Sequence, residues 1–396
     1  MTIQDLKVIL KSYGYLAPIK KINNIQINKY KKTIEKIIKF RQGDPSKVIE
    51  NIDKTKHGFD FERPFYLYDD LIDKKNPTKP NADILGFRLV NEMSKINDMP
   101  LVEVLPYGAK GLIILTGDDD QAYLEKYNEQ LNLIKNFPIT YFLHPLTRHT
   151  KETISALGNN VDFGIHPDAL DVPSKYDILT EEQLESMENL VGRKMNSLRN
   201  HGYLSDGYQG HLKTWEKLDL EIDVNIPGVD GTALNGSYLP MKVKREDGIW
   251  SEHYSLLTAF GDGMLFAQNL TESECIKKIN NLATQIENSL PGVLVFNFHP
   301  QNINLTTKMH KAVLKIAKRK SWIALTMSEY LDWLQVINSI TVEKIGSDYL
   351  LKSHLNREIK GITLNFSQVS SYSLLKKIFS KRKNIPKWIN DYKVKN

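Results

Sequence analysis

Two short runs of branched and aromatic residues constrain this chain most: Gly111-Leu-Ile-Ile-Leu115 and Gly292-Val-Leu-Val-Phe-Asn-Phe298. Each is apolar at consecutive positions, so a strand built from it has no face to give to water. Helices must cover such strands. Helix-like segments do lie between the two runs, at residues 121–136, 180–195 and 271–288. Thr180 followed by Glu181, Glu182 and Gln183 predicts an N-terminal cap. Strands alternating with helices predict an α/β architecture with functional residues at the C-terminal strand ends.

The flanks differ from this middle part. Residues 27–40 are Lys-rich, with Ile34, Ile37 and Ile38 at helical spacing, and residues 83–96 carry Ile84, Leu85, Leu89, Val90 and Met93 on one side. Residues 73–82, with Pro77 and Pro80, read as a loop. After about 337, β-formers cluster at 339–345, 349–352 and 361–366 and predict a small β unit. The expected division is therefore 1–107, 108–335 and 336–396.

Composition excludes several classes. With 396 residues, 41% hydrophobic and 25% charged, the chain reads as one large globular domain with smaller additions. A net charge of +6 without a recognisable binding module argues against nucleic acid as a partner. Cys275 is the single cysteine, so no disulfide forms within the chain, and a buried idle thiol is expected. Residues 1–16 lack the apolar core of a signal peptide, and no run approaches the roughly 20 apolar residues that span a bilayer. The expected location is cytoplasmic. The basic stretch 376–395, with Ile378, Phe379 and Trp388, offers a peripheral membrane contact at about 1 kcal/mol per cation; a solvated tail is the simpler reading.

Four places carry candidate chemistry: Thr116-Gly-Asp-Asp-Asp120, Phe163-Gly-Ile-His166-Pro167, Ser197-Leu-Arg199-Asn-His201-Gly202 and Val295-Phe-Asn-Phe-His299-Pro300. Alone, each has an ordinary structural explanation, a solvated acidic turn or a hydrogen-bonded histidine. Together, a carboxylate cluster and three histidines fall at predicted strand ends of one α/β unit. Imidazole and carboxylate make a normal catalytic site for zinc or a similar ion, with three protein ligands and an open position. A further carboxylate and imidazole would serve as base and acid. His57, His149, His211, His310 and His354 lie in polar or helical contexts and are expected at the surface, while His144 and His253 stay open. No Gly-rich phosphate loop and no Gly-x-Ser-x-Gly elbow is present.

These residues resemble the polysaccharide deacetylases (the NodB-like family), and in particular a divergent branch of it. Thr116-Gly117-Asp118-Asp119 looks like the family's Thr-Phe-Asp-Asp motif, with Gly117 in place of Phe. The usual pair of histidines four apart is absent, since Leu170 follows His166 and Asp162 precedes it at that spacing. Gly164-Ile165-His166-Pro167 followed by Arg199-Asn200-His201 is similar instead to the divergent branch. Thr326–Trp333 is similar to the family's closing helix.

The resemblance implies an irregular (β/α) barrel over about 108–335, with an N-terminal accessory segment and a small C-terminal β unit. It implies Asp118 as base, Arg199 orienting it, His299 as acid, and Asp119, His166 and His201 as ligands of a divalent metal, zinc first. The implied activity is removal of an acetyl group from an N-acetylated sugar or glycan. Alternatives on the same scaffold are hydrolysis of a small-molecule amide C–N bond and an inactive glycan-binding protein. The sequence assigns no role to Asp223, at the end of a predicted strand 215–223, and does not set the oligomeric state.

Overall fold

The computed structural model describes residues 2–18, 24–42, 75–76, 78–205, 211–227, 236–245, 247–346, 348–368 and 392–395. The chain forms two compact units: Phe40–Pro80 with Gly111–Tyr330, and Met1–Lys39 with Asn81–Lys110 and Leu331–Asn396.

The larger unit is an α/β barrel, the class expected from the alternation. Its elements are β1 (Gly111–Asp118), α1 (Leu124–Ile134), β2 (Ile139–Leu143), α2 (Lys151–Ser155), β3 (Val161–Ile165), α3 (Tyr176–Val191), β4 (Ser197–Leu198), α4 (Leu212–Lys217), β5 (Ile222–Pro227), β6 (Met241–Lys244), β7 (Trp250–Gly261), α5 (Gly263–Ala267), α6 (Glu272–Asn288), β8 (Gly292–Asn297), α7 (Ile303–Ala317) and β9 (Trp322–Ala324). Seven parallel strands close in the order β1-β2-β3-β4-β5-β7-β8, and β8 returns to β1 through Gly111↔Gly292 to Thr116↔Asn297. β6 adds antiparallel to β7, and β9 lies parallel to the first half of β1.

The two apolar runs are neighbours at the closure. Every residue of β1 and β8 is buried. Gly111 is required there: a Cβ would come 2.3 Å from the Trp322 ring of β9. Gly117 meets the same constraint near the site, where a Cβ would sit 2.8 Å from the Phe298 carbonyl oxygen. This explains why a phenylalanine has no place at that position. α6 is started by Thr271, whose hydroxyl accepts from the Glu274 amide in a capping box. Its apolar stripe, Cys275, Ile279, Leu282, Ala283 and Ile286, is buried.

Several local expectations differ from the structure. Thr180 does not cap a helix: α3 begins four residues earlier, behind the 3-10 turn Pro173–Lys175, and Thr180 is buried inside it. Residues 215–223 are not one strand, because α4 takes Trp215 and β5 starts only at Ile222. Asp223 therefore lies near the start of β5, where its carboxylate meets His253 Nε2 at 3.0 Å. His149 and His310 are buried rather than exposed. Cys275 is a buried free thiol, while His57 and most of 376–395 lie outside the described residues.

The smaller unit combines pieces from both ends of the chain. The helix Ile3–Ser12 begins with a Thr2–Asp5 capping box and buries Leu6, Ile9 and Leu10. Tyr13 lies edge-on to Phe87 of the helix Asn81–Asn97 and donates to Asp83 at 3.2 Å. Leu101–Val102 pairs antiparallel with Ile362–Asn365, and Ile340–Ile345 forms a hairpin with Asp348–Ser353. Among the described residues, no helix is long and apolar enough to cross a membrane.

Candidate metal and acid–base centre

Side-chain alternation along β1 decides which of the three adjacent aspartates enters the site. In a strand, residues two apart share a face. Thr116 and Asp118 share one; Asp119 falls on the other, under α1. There its carboxylate is fully buried, accepting the Tyr127 hydroxyl at 2.5 Å and the His144 amide at 3.3 Å. Asp120 returns to the side of Asp118. The chain reaches this turn through positive φ at Asp120 (39°) and Gln121 (60°), a conformation that costs a non-glycine residue energy.

The carboxylate that joins the histidines is consequently that of Asp120, not Asp119. Asp120 Oδ1 lies 3.2 Å from His166 Nε2 and 3.8 Å from His201 Nε2, and the three residues form one group of converging ligand atoms. The His166 ring orientation is fixed from behind, since Nδ1 donates to the Arg199 carbonyl at 2.6 Å. In the neutral ring this leaves the Nε2 lone pair facing Asp120 Oδ1, which is buried and receives no aligned hydrogen bond. Two acceptors in contact require a proton or a cation between them. Ligands around a tetrahedral zinc, with bonds of roughly 2.0–2.1 Å, stand roughly 3.3 Å apart. The donor set and its spacing fit such an ion.

Asp118 ends β1 and is held on both oxygens. Oδ1 accepts from Arg199 Nη1 at 2.7 Å, and Oδ2 accepts from Asn297 Nδ2 at 2.8 Å. Arg199 is itself fully buried. It donates further to the hydroxyls of Thr116 (3.0 Å) and Thr258 (3.1 Å) and lies over the Phe142 ring. Both threonines give their own protons to backbone carbonyls, leaving lone pairs for the guanidinium. Burial alone would raise the Asp118 pKa; Arg199, with His166 and His299, outweighs it and holds the group well below the usual carboxylate range.

His299 follows β8 and faces the same centre. Nε2 is 3.4 Å from both Asp118 Oδ2 and Asp120 Oδ2. Nδ1 contacts Asp262 Oδ1 at 2.6 Å, while Asp262 Oδ2 accepts the His299 amide and the Asn302 side chain. Burial would lower the His299 pKa, but Asp262 and Asp118 carry it well above the ordinary value.

The structure thus gathers Asp118, Arg199, His166, His201 and His299, and leaves Asp119 outside the group. Two residues of this centre have no role assigned from the sequence motifs, Asp120 and Asp262. Asp120 was signalled by the alternation Thr116, Asp118, Asp120. Asp262 follows β7, whose polar beginning, Trp250-Ser-Glu-His-Tyr, hides the strand that delivers it. Beside the group lies a further carboxylate, Asp168, against His144 Nε2 and His201 Nδ1, both at 3.2 Å. These histidines hold its pKa well below the usual range against the effect of burial. Asp162 is at the opposite end of β3, bound to Ser328 and Arg193.

No family model and no curated protein matches the chain. Among solved structures, the chain is similar to PuuE allantoinase, with 11% identity over 60% of this chain and 94% of that one and a TM-score of 0.48. It is also similar to a protein from Pseudomonas aeruginosa PAO1 described as a probable polysaccharide deacetylase, with 12% identity over 61% and 97% and a TM-score of 0.46. These are distant likenesses; the chemistry of the site stands on its own side chains.

Proposed function

We propose that the chain is a metal-dependent hydrolase that removes an acetyl group from an N-acetylated sugar or glycan. The observation that carries this reading is the meeting, on one barrel rim, of a carboxylate held by arginine, an Asp–His–His ligand group and an imidazole backed by a carboxylate. Asp120, His166 and His201 would hold the ion, zinc first by its nitrogen and oxygen donors. The chemistry such an ion supplies when bound is polarisation of an acyl oxygen and a lower pKa for a nearby water.

The chain's own groups account for the proton movements. Asp118, kept ionised by Arg199, accepts the proton of the attacking water at Oδ2. Arg199 and Asn297 fix the carboxylate so that it pays no reorientation cost. His299 carries a proton on Nε2 and delivers it to the departing nitrogen, while Asp262 holds Nδ1–H and balances the charge. A departing amine needs this acid more than an alkoxide does, so N-deacetylation is favoured over O-deacetylation. The sugar as acyl acceptor rests on the resemblance of the motifs. On this reading residues 108–335 are the catalytic part, with 1–107 and 336–396 as additions to it.

The test is acetate release by the zinc-loaded protein from N-acetylated oligosaccharides and from small acetamides, beside Asp118→Asn. Turnover of the oligosaccharides, lost in the variant, supports the proposal. Turnover of small acetamides alone would transfer the reading to a small-molecule amidase. Metal binding without turnover on either would make the chain a binding protein.

A further inference from the structure

Asp168 and His144 stand directly behind His201, and neither has a part in the acid–base chemistry. The two metal-facing histidines differ in how they are held. His166 is buried, and its Nδ1 proton is fixed by a backbone carbonyl. His201 is carried by the short turn His201–Tyr203, with φ of 58° at Gly202 and 56° at Tyr203, and its side chain is 30% exposed. Its Nδ1 faces Asp168 Oδ1 at 3.2 Å, without the alignment of a full hydrogen bond.

Asp168 is itself tightly placed. Gln183 of α3 grips its backbone on both sides, accepting from the Asp168 amide and donating to its carbonyl, each at 2.8 Å. Asp168 Oδ1 also accepts from the Leu170 amide at 3.1 Å. Its other oxygen meets His144 Nε2. The tautomer of His144 follows from its second nitrogen: Nδ1 accepts the Leu146 amide at 3.1 Å, so the ring proton of the neutral imidazole is on Nε2.

That tautomer decides between two uses of the cluster. His144, Asp168 and His201 also present three converging ligand atoms, as a second ion site would. An ion on His144 Nε2 would have to displace its proton, which either leaves an imidazolate or moves to Nδ1 and breaks the Leu146 bond. Asp168 instead receives N–H donors on both oxygens, a task that one carboxylate performs and one amide cannot.

Resting on the metal-centre reading above, we propose that Asp168 is the positioning residue of that centre. It keeps the His201 proton on Nδ1 and turns the Nε2 lone pair toward Asp120, and His144 serves Asp168 rather than a second ion. Partners behind a ligating histidine typically govern metal affinity by about 10–100-fold.

The experiment is titration of the chelator-treated protein with zinc and with cobalt, for wild type, Asp168→Asn and Asp168→Glu. The readouts are equivalents bound, affinity, the visible spectrum of the cobalt form, and melting in chelator. We expect one equivalent in wild type. Asp168→Asn should bind about 10–100-fold more weakly with an altered cobalt spectrum, and in chelator should melt only modestly below wild type, by what its contact with His144 contributes to the metal-free fold. Asp168→Glu should recover part of the affinity. Wild-type affinity and spectrum in Asp168→Asn would overturn the positioning role while leaving the metal centre standing, and so would two equivalents in wild type. A large loss of chelated stability that Asp168→Glu does not repair would make the residue a folding element and overturn the proposal. No ion bound by wild type would overturn the metal-centre reading, and this one with it.

Discussion

At the scale of single residues, the three adjacent aspartates show how one backbone period distributes identical side chains among different tasks. Asp118 is paired with a buried guanidinium, Asp119 is under a helix, and Asp120 faces two imidazoles. The motif resemblance gives the ligand's place to Asp119; on the proposed reading the period of the strand gives it to Asp120. Substitution separates the two assignments. Asp120→Asn should abolish tight zinc binding with little change in the stability of the metal-free protein, because the group is at the rim and partly exposed. Asp119→Asn should keep the metal, since its side chain points away. It turns one of the two acceptor oxygens into a donor, so either the His144 amide or the Tyr127 hydroxyl loses its acceptor, at about 1–3 kcal/mol for a buried unpaired group, and the melting temperature falls. Metal analysis and thermal unfolding of both variants check this. Retained zinc in Asp120→Asn together with lost zinc in Asp119→Asn would restore the motif assignment.

At the scale of elements, the sequence announced those whose signal is local. β1 and β8 were legible because consecutive branched residues have few other uses, and α6 because its cap and stripe agree. The start of α3 was misplaced because a genuine capping pattern at Thr180 fell inside a helix already begun at Tyr176. β7 went unread because its first half pairs with a hairpin strand and carries polar residues. The strand pairing of Leu101–Val102 with Ile362–Asn365 had no local signal at all, since its partners are distant in sequence. α7 corrects a further expectation. His310 is read from sequence as a surface residue, yet it is buried, its Nδ1 donating to the Thr306 carbonyl and its Nε2 accepting from Gln130. Gln130 in turn accepts from Tyr141 and donates to the Phe298 carbonyl.

That burial has a consequence for acid stability. Desolvation lowers the His310 pKa from 6.5 to about 4, against a smaller opposing effect of the Thr306 carbonyl. Below pH 6.5 the unfolded chain takes up a proton at this residue that the folded chain refuses until about pH 4. Stability is therefore full above 6.5 and falls as the pH drops toward 4, by up to about 1.4 kcal/mol per pH unit from this one group. His310→Gln keeps a hydrogen-bonding side chain but does not titrate. We expect it to be less stable than wild type at pH 7 and to lose less on going from pH 6.5 to 4.5. Urea unfolding of both proteins at these two pH values measures the difference. Equal losses would mean that His310 is charged within the fold.

At the scale of the whole molecule, the proposed Asp120–His166–His201 ion site joins parts of the barrel that are far apart along the chain. Asp120 follows β1, His166 follows β3 and His201 follows β4, so an ion held by all three ties together the ends of strands that no short loop connects. The unfolded chain has no such site, and binding free energy adds to folding free energy. At free zinc about 100 times the dissociation constant, the gain is about 2.7 kcal/mol. For a unit of this size, each kcal/mol moves the melting temperature by roughly 2–4 °C. Chelation should thus lower the melting temperature of the wild-type protein by roughly 5–10 °C, and restoring zinc should reverse it. The shift should vanish in Asp120→Asn, whose metal-loaded and chelated forms should melt together. A shift of equal size in that variant would place the stabilising ion elsewhere, and the Asp120–His166–His201 group would then be a hydrogen-bonded cluster with a proton, not a metal, between its imidazole and carboxylate.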